Sequence, residues 1–366
     1  MTTGAVTTGA MTTGVMTTGA MTIRRALVTG ATGGLGRHLV AKLANAGYRV
    51  RASGRNQTIG QSLDGASTTF VAGDLTDEAC VQRLVQDTDV IFHCAALSSP
   101  WGKPEDFFKS NVGVTQSLVK AARTTGCQRF IHVSTPSIYF RFKDQLNIRE
   151  DAALPSPFVN HYAATKAAAE TVVRNAGGDN FHVSILRPRG IFGEYDTVLL
   201  PRLLDLARSG TMPVFRGGKA LVDVTYAGNV ADAMLLCDRT GAPPGTFNIT
   251  NGEPVSIEDL LRRVFAALDL NVRLVPMPYW ALDAAAGAWE LAARAFNLKK
   301  EPKLLRYPLG LMTYSQTLDI SAARQQLGYA PAICIDDGLR RFTTWYRQEK
   351  ANAAPRATPH GHRMAP

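Results

Sequence analysis

The 366-residue sequence lacks a long apolar run and any paired arrangement of cysteines. No stretch of about 18 uncharged apolar residues occurs, so no membrane-spanning helix is expected. The five cysteines are odd in number, scattered and without CxxC spacing: Cys80, Cys94, Cys127, Cys237 and Cys334. They predict reduced thiols in the cytoplasm, and they argue against a disulfide framework or a metal site.

Charged residues are also scarce, at 19% of the chain against 45% hydrophobic residues, which is typical of a globular enzyme. The formal charge is +10, but the basic residues are spread along the chain and form no block. Such a charge favours anionic small ligands, including a phosphorylated cofactor. We therefore expect no nucleic-acid partner.

The first twenty residues contain no charge and no aromatic side chain, because they are four variants of the pentapeptide Met-Thr-Thr-Gly-Ala. Such small side chains cannot build a core, so 1–22 is predicted to be a disordered tail. The repeat lacks the basic and apolar regions of a signal peptide, and Met21 is a second candidate for the start of translation.

From Ile23 onward, short β-branched runs alternate with longer amphipathic stretches. Strands are predicted at 25–29, 48–53, 68–71, 89–93, 129–134 and 181–186, and helices at 35–46, 76–86, 107–125 and 161–175. This alternation predicts an α/β fold with a Rossmann-type doubly wound parallel sheet over 23–190.

The alternation loosens after Pro188, where a smaller mixed substrate-binding region is predicted over 191–347. Its elements are strands at 221–225 and 246–250, and helices at 228–238, 276–306 and 336–347, with 221–250 packing back onto the nucleotide domain. Ser256 with Asp259 predicts the start of another helix. Residues 348–366 are predicted to form a flexible tail.

A glycine-rich run, Gly30-Ala31-Thr32-Gly33-Gly34-Leu35-Gly36, follows the first predicted strand and opens the first predicted helix. Gly30 permits a tight turn, Gly33 lets the backbone approach a pyrophosphate, and Gly36 lets the helix pack on the sheet. The helix amides then face the pyrophosphate. The run predicts a dinucleotide site that includes Gly30, Thr32, Gly33, Gly34, Leu35 and Gly36.

No acidic residue stands at the end of the second strand, where the sequence reads Ser53-Gly54-Arg55. No carboxylate would repel a 2′-phosphate there and Arg55 can pair with one, so NADP(H) is favoured and NAD(H) is the alternative. A solvated surface charge is the other interpretation of Arg55. Asp74, followed by Leu75, is predicted either to bind the adenine amino group or to cap a helix.

The run Tyr162-Ala163-Ala164-Thr165-Lys166 places a phenol and an ammonium one helical turn apart. A free phenol has a pKa of about 10, so it needs a neighbouring cation to act as a base near neutrality. The strand end Val133-Ser134-Thr135 adds a hydroxyl that can orient a substrate carbonyl. The pattern predicts hydride transfer to or from a carbonyl, with an ordinary surface pair as the alternative.

These motifs occur in the order seen in extended short-chain dehydrogenases/reductases, which the chain resembles from about Arg24 to Trp345. The series is the glycine run, Asp74, His93-Cys94-Ala95-Ala96, Asn111, Ser134-Thr135, Tyr162 with Lys166, and Leu186-Arg187-Pro188. The resemblance implies that Thr135, Tyr162 and Lys166 are catalytic and that Asn111 props the active site. It also implies that Ala95, Lys166 and Pro188 contact the cofactor.

Within this family, dehydratases carry an Asp-Glu pair after the catalytic hydroxyl residue, whereas Thr135 is followed by Pro136-Ser137. Dehydration therefore lacks its acid and base. The segments 96–102, 223–230 and 304–307 look like the 3β-hydroxysteroid dehydrogenase-like branch, which includes bacterial 2-alkyl-3-oxoalkanoate reductases.

The segment 279–297 carries an apolar stripe of Leu282, Ala285, Trp289, Ala292 and Phe296, and a cationic stretch follows it. Three interpretations are open: packing on the substrate region, a lid over a lipid-like substrate, or peripheral membrane contact through 279–306.

The resemblance and the residues together predict an oxidoreductase that interconverts a secondary alcohol and a ketone on a hydrophobic substrate, such as a sterol or a long-chain β-keto acid. A sugar-nucleotide epimerase and a non-catalytic NADP-sensing regulator are the alternatives, and a homodimer is left open.

Overall fold

The computed structural model describes residues 23–296, 301–302 and 304–353, so the repeat over 1–22 lies outside the described residues. In this part of the chain the strands are β1 (Arg25–Thr29), β2 (Arg49–Gly54), β3 (Thr68–Ala72), β4 (Val90–His93), β5 (Arg129–Val133), β6 (Gln145–Ile148), β7 (His182–Pro188), β8 (Ile191–Phe192), β9 (Thr211–Val214), β10 (Leu221–Val222), β11 (Thr225–Tyr226), β12 (Gly245–Ile249), β13 (Val255–Ser256), β14 (Arg273–Pro276) and β15 (Gln316–Leu318).

The helices of the same ranges are α1 (Gly34–Asn45), α2 (Gln57–Gln61), α3 (Glu78–Val85), α4 (Pro104–Phe107), α5 (Val114–Thr124), α6 (His161–Ala176), α7 (Leu199–Ala207), α8 (Ala227–Asp238), α9 (Ile257–Ala267), α10 (Tyr279–Ala295), α11 (Arg306–Thr313) and α12 (Ile335–Ala353). Two π-helical segments, Phe108–Gly113 and Ala323–Leu327, and two 3-10 turns, Pro136–Tyr139 and Arg216–Gly218, complete the set.

A seven-stranded parallel sheet in the order β12-β7-β5-β4-β1-β2-β3 lies at the centre of the molecule. All six strands predicted from β-branched runs before Pro188 are present in it. The predicted α/β doubly wound fold is therefore confirmed. The strand order reverses between β1 and β4, and in such sheets the crevice at the carboxyl ends of the strands on either side of that point binds ligands.

Helices cover both faces of this sheet and bury its apolar side chains. On one face α1 and α8 contribute Leu39, Leu43 and Met234, all fully buried. On the other face α3, α5 and α6 contribute side chains such as Leu118 and Val173. Burial on both faces explains why the strands read as continuous apolar runs, and it leaves the carboxyl edge of the sheet for polar chemistry.

A smaller mixed sheet of four short strands, in the order β13-β10-β15-β6, combines three strands from the second half of the chain with β6 from the first half. Within 221–250, α8 packs on α1 and β12 joins the main sheet, whereas β10 belongs to the small sheet. In the small sheet, β6 and β15 pair through Gln145 and Gln316. This pairing joins distant parts of the sequence, and no local pattern indicates it.

The predicted start of α9 is confirmed, because Ser256 Oγ accepts a hydrogen bond from Asp259 N at 3.1 Å. The last helix, α12, continues through Ala353 into the stretch predicted to be a flexible tail. All five cysteines are free thiols, and Cys80, Cys127 and Cys237 are buried. No helix in the described ranges combines the length and the apolar character needed to cross a bilayer.

Helix α10 packs on the substrate region, so the packing interpretation is confirmed for the helix, although only part of its apolar stripe faces inward. Leu282 packs against a buried cluster with Ala286 and Phe215, whereas Trp289 is 54% exposed and Phe296 is 78% exposed. Arg306 also forms an ion pair with Asp283 of this helix at 2.8 Å, and its amide donates to Glu290. The lid and membrane interpretations stay predictions, and Lys299, Lys300 and Lys303 lie outside the described residues.

Candidate active site

The glycine run forms the turn between β1 and α1, and two of its positions require glycine. Gly30 has a φ of +68°, and a Cβ there would lie 2.8 Å from Ala95 N. A Cβ on Gly36 would lie 2.2 Å from Gly30 O, so α1 approaches the turn more closely than any side chain permits. Glycine is required at position 30 by the left-handed backbone conformation, and at position 36 by the close approach of the Gly30 carbonyl oxygen.

The N-terminus of α1 offers free amide donors at this turn. Gly33 is the N-cap residue, without a side-chain acceptor, and the first turn has no acidic residue. Among the described residues, no acceptor takes the amides of Gly34, Leu35 or Gly36. This cradle fits a pyrophosphate, which would receive those hydrogen bonds and sit at the positive end of the helix dipole.

The predicted adenosine end of the site lies at the ends of β2 and β3. Arg55 follows β2 and is exposed. Asp74 Oδ1 accepts a hydrogen bond from Thr76 N at 2.9 Å, which lowers the pKa of this carboxyl, and the charge of Arg55 lowers it further. Asp77 caps α3 by accepting from Ala79 N, so the helix-cap interpretation of Asp74 is wrong. Its adenine role stays a prediction.

The remaining predicted cofactor residues lie along the same edge of the sheet. Ala95 follows β4 and lies against Gly30, and Pro188 is the last residue of β7. The Thr32 side chain packs on Gly54, where a Cβ would lie 2.6 Å from Thr32 Oγ1. Leu75 is half-buried next to Asp74. The structure therefore places all four at the carboxyl ends of the strands.

Lys166 on α6 is almost fully buried, and its ammonium is held by β5. Its Nζ donates to Val133 O at 2.6 Å and lies 3.1 Å from His132 Nε2. Burial lowers the pKa of Lys166 to about 8. Burial, followed by the charge of Lys166, also lowers the pKa of His132 well below its usual value, so His132 is neutral and can accept the hydrogen bond. Sequence reasoning assigned no role to His132.

Tyr162, one turn before Lys166, faces hydroxyl groups rather than the ammonium. Burial raises the pKa of the Tyr162 phenol, and hydrogen bonding with Ser98 and Thr135 opposes this rise. No described contact joins Lys166 Nζ to the phenol. The structure thus brings Tyr162 and Thr135 together as predicted, whereas tuning of Tyr162 by Lys166 stays a prediction.

A chain of hydroxyl groups extends from Thr135 to the second half of the protein. Thr135 Oγ1 donates to Ser137 Oγ at 3.0 Å, and Ser137 Oγ lies 2.6 Å from the Tyr307 hydroxyl on α11. Ser98, Ser137 and Tyr307 were not predicted as site residues. Ser98 and Tyr307 stand in segments that carry the family resemblance, and Ser137 stands where dehydratases have an acidic pair, but the sequence alone assigned no chemistry to any of them.

Asn111 positions the site from within the π-helical segment Phe108–Gly113. Its Oδ1 accepts from Leu97 N at 2.7 Å, and its Nδ2 donates to Leu97 O at 3.2 Å and to Thr165 Oγ1 at 3.1 Å. It therefore ties the loop after β4 to α6, next to Lys166. These contacts hold the loop and the helix in a fixed position relative to each other.

A buried ion pair fixes α6 on the sheet one turn after Lys166. Glu170 is fully buried and accepts hydrogen bonds from Arg187 at 2.8 and 2.6 Å and from Arg174 at 2.9 Å. Arg187 also donates to the Tyr139 hydroxyl and to Glu150 O. Because all these groups are paired, the pair holds the helix that carries Tyr162 and Lys166 in one register on β7.

Comparison with known proteins agrees with this geometry. The model of the NAD dependent epimerase/dehydratase family matches residues 26–250. The chain is 33% identical over 316 residues to 4-hydroxy-2-methyl-3-oxo-4-farnesyl-3,4-dihydroquinoline-1-oxide ketoreductase of Stigmatella aurantiaca, covering 86% of this chain and 94% of that protein. It is 30% identical over 333 residues to 2-alkyl-3-oxoalkanoate reductase of Shewanella oneidensis, covering 87% and 86%.

Among solved structures, UDP-glucose-4-epimerase of Stenotrophomonas maltophila with bound NAD superposes with a TM-score of 0.72. The match covers 90% of this chain and 99% of that chain at 20% identity, and it shows the shared fold. The resemblance predicted from the motifs is confirmed, and the non-catalytic regulator is excluded because the family consists of enzymes. The chain therefore belongs to the NAD-dependent epimerase/dehydratase family, on its 3β-hydroxysteroid dehydrogenase-like branch, and is an oxidoreductase.

Proposed function

We propose that this enzyme interconverts a ketone and a secondary alcohol on a hydrophobic substrate, and that the physiological substrate is a β-keto or β-hydroxy acid or a sterol derivative. The observation that carries the proposal is the hydroxyl set around Tyr162. Ser98 and Thr135 lower the pKa of the Tyr162 phenol by hydrogen bonding, and Pro136-Ser137 stands where elimination of water would require a carboxylate pair.

Each residue has a distinct part in this reaction. The bound nicotinamide supplies or accepts the hydride. Tyr162 donates the proton to the substrate oxygen, or removes it in the reverse direction, while Thr135 donates a hydrogen bond that orients the same oxygen. Lys166, with its pKa lowered to about 8, stays mostly protonated at neutral pH and places positive charge beneath the site.

We also propose that NADP(H) is preferred over NAD(H). Arg55 is the basic residue at the end of β2, and it forms no ion pair with the described residues that would compete with a phosphate. The nearby Asp74 carboxylate accepts a hydrogen bond from Thr76 N. The carboxylate and the Arg55 guanidinium attract each other without forming an ion pair. A 2′-phosphate would gain a charge-assisted hydrogen bond from the guanidinium.

Two relatives support reduction of a carbonyl next to a hydrophobic chain. One is named a ketoreductase of a farnesyl-substituted quinoline oxide, and the other a reductase of 2-alkyl-3-oxoalkanoates. Both names combine a ketone with a long apolar group. A sugar-nucleotide epimerase stays the second candidate, favoured only by the fold it shares with UDP-glucose-4-epimerase.

The test is a Tyr162→Phe variant compared with Tyr346→Phe, which removes the same hydroxyl from a residue on α12. Loss of the proton donor should lower kcat about 100- to 10,000-fold on a 3-oxo acid, with unchanged affinity for NADPH. Turnover is followed by NADPH oxidation and affinity by fluorescence titration. An epimerase would instead convert UDP-glucose without net cofactor consumption, and a Tyr162→Phe variant with retained turnover would contradict the assigned role.

A further inference from the structure

Arg189 is a buried guanidinium without a polar partner. It directly follows Pro188 at the carboxyl end of β7, and only 9% of the residue is exposed. Its side chain forms no hydrogen bond or ion pair with the described residues, and its Nε is buried without an acceptor. Arg187, two residues earlier, shows the usual arrangement, since Glu170, Tyr139 and Glu150 satisfy it.

The nearest acidic side chain, Asp223, does not neutralise this charge. It lies beyond ion-pair distance of Arg189 and uses Oδ2 to accept a hydrogen bond from Leu318 N at 2.7 Å. Burial raises the pKa of Asp223 to about 6, so the attraction of Arg189 does not offset the burial of the carboxylate. An arginine that is desolvated and left unpaired destabilises the folded state unless a ligand supplies the missing anion.

The guanidinium acts on Tyr307, a residue that is linked to the predicted site by hydrogen bonds. The positive charge of Arg189 lowers the pKa of the Tyr307 phenol, against the effect of burial. The Tyr307 hydroxyl lies 2.6 Å from Ser137 Oγ, and Thr135 Oγ1 donates to Ser137 Oγ. Arg189 therefore belongs to the same buried group of polar side chains as Thr135, on the side of the crevice formed by α11.

We infer that Arg189 binds a carboxylate of the substrate, and that the substrate is therefore a 3-oxo or 3-hydroxy acid. The inference rests on the proposed function, since it places the ketone at Tyr162 and Thr135. In a 3-oxo acid a single carbon separates the carboxylate from the reacting carbonyl, so the two groups can reach neighbouring parts of one site. Guanidinium and carboxylate match in geometry, and each would supply the charge that the other lacks.

This recognition fixes the orientation of the substrate. With the carboxylate on Arg189 and the ketone oxygen on Tyr162, only one face of the carbonyl can be turned toward the nicotinamide position. The alkyl chain must then leave the site in the remaining direction. A neutral ketone or ester of the same chain would keep its apolar contacts and lose this orientation.

The experiment measures binding without turnover, on the full chain saturated with NADP⁺. Isothermal titration compares 3-oxodecanoate with its methyl ester, in the wild type, Arg189→Gln and Arg189→Lys. We expect the wild type to bind the acid about 10- to 100-fold more tightly than the ester. Arg189→Gln should bind both equally and Arg189→Lys should give a smaller ratio. The matched control, Arg149→Gln, removes an exposed arginine that pairs with Asp151 and should keep the full ratio.

Equal binding of acid and ester by the wild type would overturn the inference without any variant. An unchanged ratio in Arg189→Gln would overturn it as well. A diphosphate is the other anion that this site could hold, so UDP-glucose is titrated in parallel. Tighter binding of UDP-glucose than of the acid, lost in Arg189→Gln, would assign the arginine to a sugar nucleotide instead.

Turnover separates this inference from the proposed function. If the acid binds through Arg189 but is not reduced by NADPH, the proposed reaction fails and the carboxylate site stands. If acid and ester are reduced equally well and bind equally well, the reaction stands and the carboxylate site fails. Arg189→Gln should melt no lower than the wild type, because it removes an unpaired buried charge.

Discussion

The substitution Gly36→Ala tests whether the cofactor cradle depends on the close approach of α1 to the preceding turn. A Cβ at position 36 would lie 2.2 Å from Gly30 O and 2.7 Å from Ala31 Cα, and both are backbone atoms that cannot rotate away. An ordinary contact begins at 3.4 Å. The first turn of α1 must therefore move by about 1.2 Å, the difference between the two distances.

This displacement should affect cofactor affinity more than stability. Overpacking costs about 1–3 kcal/mol, and the helix preference of alanine over glycine offsets about 1 kcal/mol of it. We expect the free energy of unfolding to fall by no more than about 2 kcal/mol. The amides of Gly34 and Leu35 would move out of line with the pyrophosphate, and loss of charge-assisted hydrogen bonds should lower NADPH affinity about 10- to 100-fold.

Urea unfolding measures the first effect and quenching of NADPH fluorescence the second. Gly65→Ala is the matched control, because a Cβ at position 65 meets no atom within 4 Å. It should leave both quantities unchanged. A Gly36→Ala protein that binds NADPH as tightly as the wild type and unfolds at the same urea concentration would refute the argument.

Three further variants test other parts of the site. Arg55→Ala should lower NADPH affinity about 10- to 100-fold and leave NADH affinity unchanged in fluorescence titrations, since only NADPH carries the 2′-phosphate. Asp223 has a folded pKa of about 6, above its ordinary 3.8, so the wild type should lose stability as the pH rises from 4 to 6. Asp223→Asn should lack this slope and be more stable at pH 7 by up to about 3 kcal/mol. Glu170→Gln leaves Arg187 buried with a weakened partner, and should cost about 3–5 kcal/mol in urea unfolding. By contrast, Arg174→Gln, which removes a half-exposed partner of Glu170, should cost less than about 1 kcal/mol.

Each of these has a contrary outcome. Equal loss of both cofactors in Arg55→Ala would make this arginine a general surface charge. Parallel stability curves for Asp223→Asn and the wild type between pH 4 and 6 would mean that the carboxyl is ionised throughout. A Glu170→Gln protein as stable as Arg174→Gln would show that the buried pair contributes little.

The main sheet was predictable because its strands are buried on both faces. Runs such as Arg25–Thr29 and Arg129–Val133 have consecutive buried and mostly apolar residues in their middle, and the apolar residues of the helices between them recur every three to four positions. The turn at Gly30 was predictable for the same kind of reason, since its backbone conformation and its contact with Ala95 demand one residue type.

The strand pairing of the small sheet and the identity of the buried face of α10 were not predictable from local patterns. The short strands β6 and β15 pair although nearly half of the chain separates them, and their short sequences carry no periodicity. On α10, the predicted stripe is buried at Leu282 and exposed at Trp289 and Phe296, and the inward side also carries Asp283 and Glu290, which hold Arg306. The contact with Arg306 joins distant parts of the sequence, so the pattern within the helix does not reveal it.

In the candidate site, sequence reasoning identified the residues that belong to a recognisable motif. It missed the residues whose role depends on their burial and on their contacts in the fold. Thr135 and Tyr162 were recognised because their spacing and order are characteristic. Arg189 was overlooked although it directly follows the Leu186-Arg187-Pro188 motif, because only the fold reveals that its charge is buried and unpaired. His132 was assigned no role, because its contact with Lys166 depends on the register between α6 and β5.

The last strand to enter the main sheet, β12, comes from residues 245–249, after much of the small-sheet region has been traversed. A fragment that stopped near residue 190 would leave β7 with a bare row of backbone donors and acceptors on the side that β12 normally covers. Neither half of this polypeptide can be cut away as a module. To exchange substrate specificity between relatives, the segments on either side of Gly245–Ile249 would have to be replaced separately. The strand itself and α8 would have to stay those of the recipient protein.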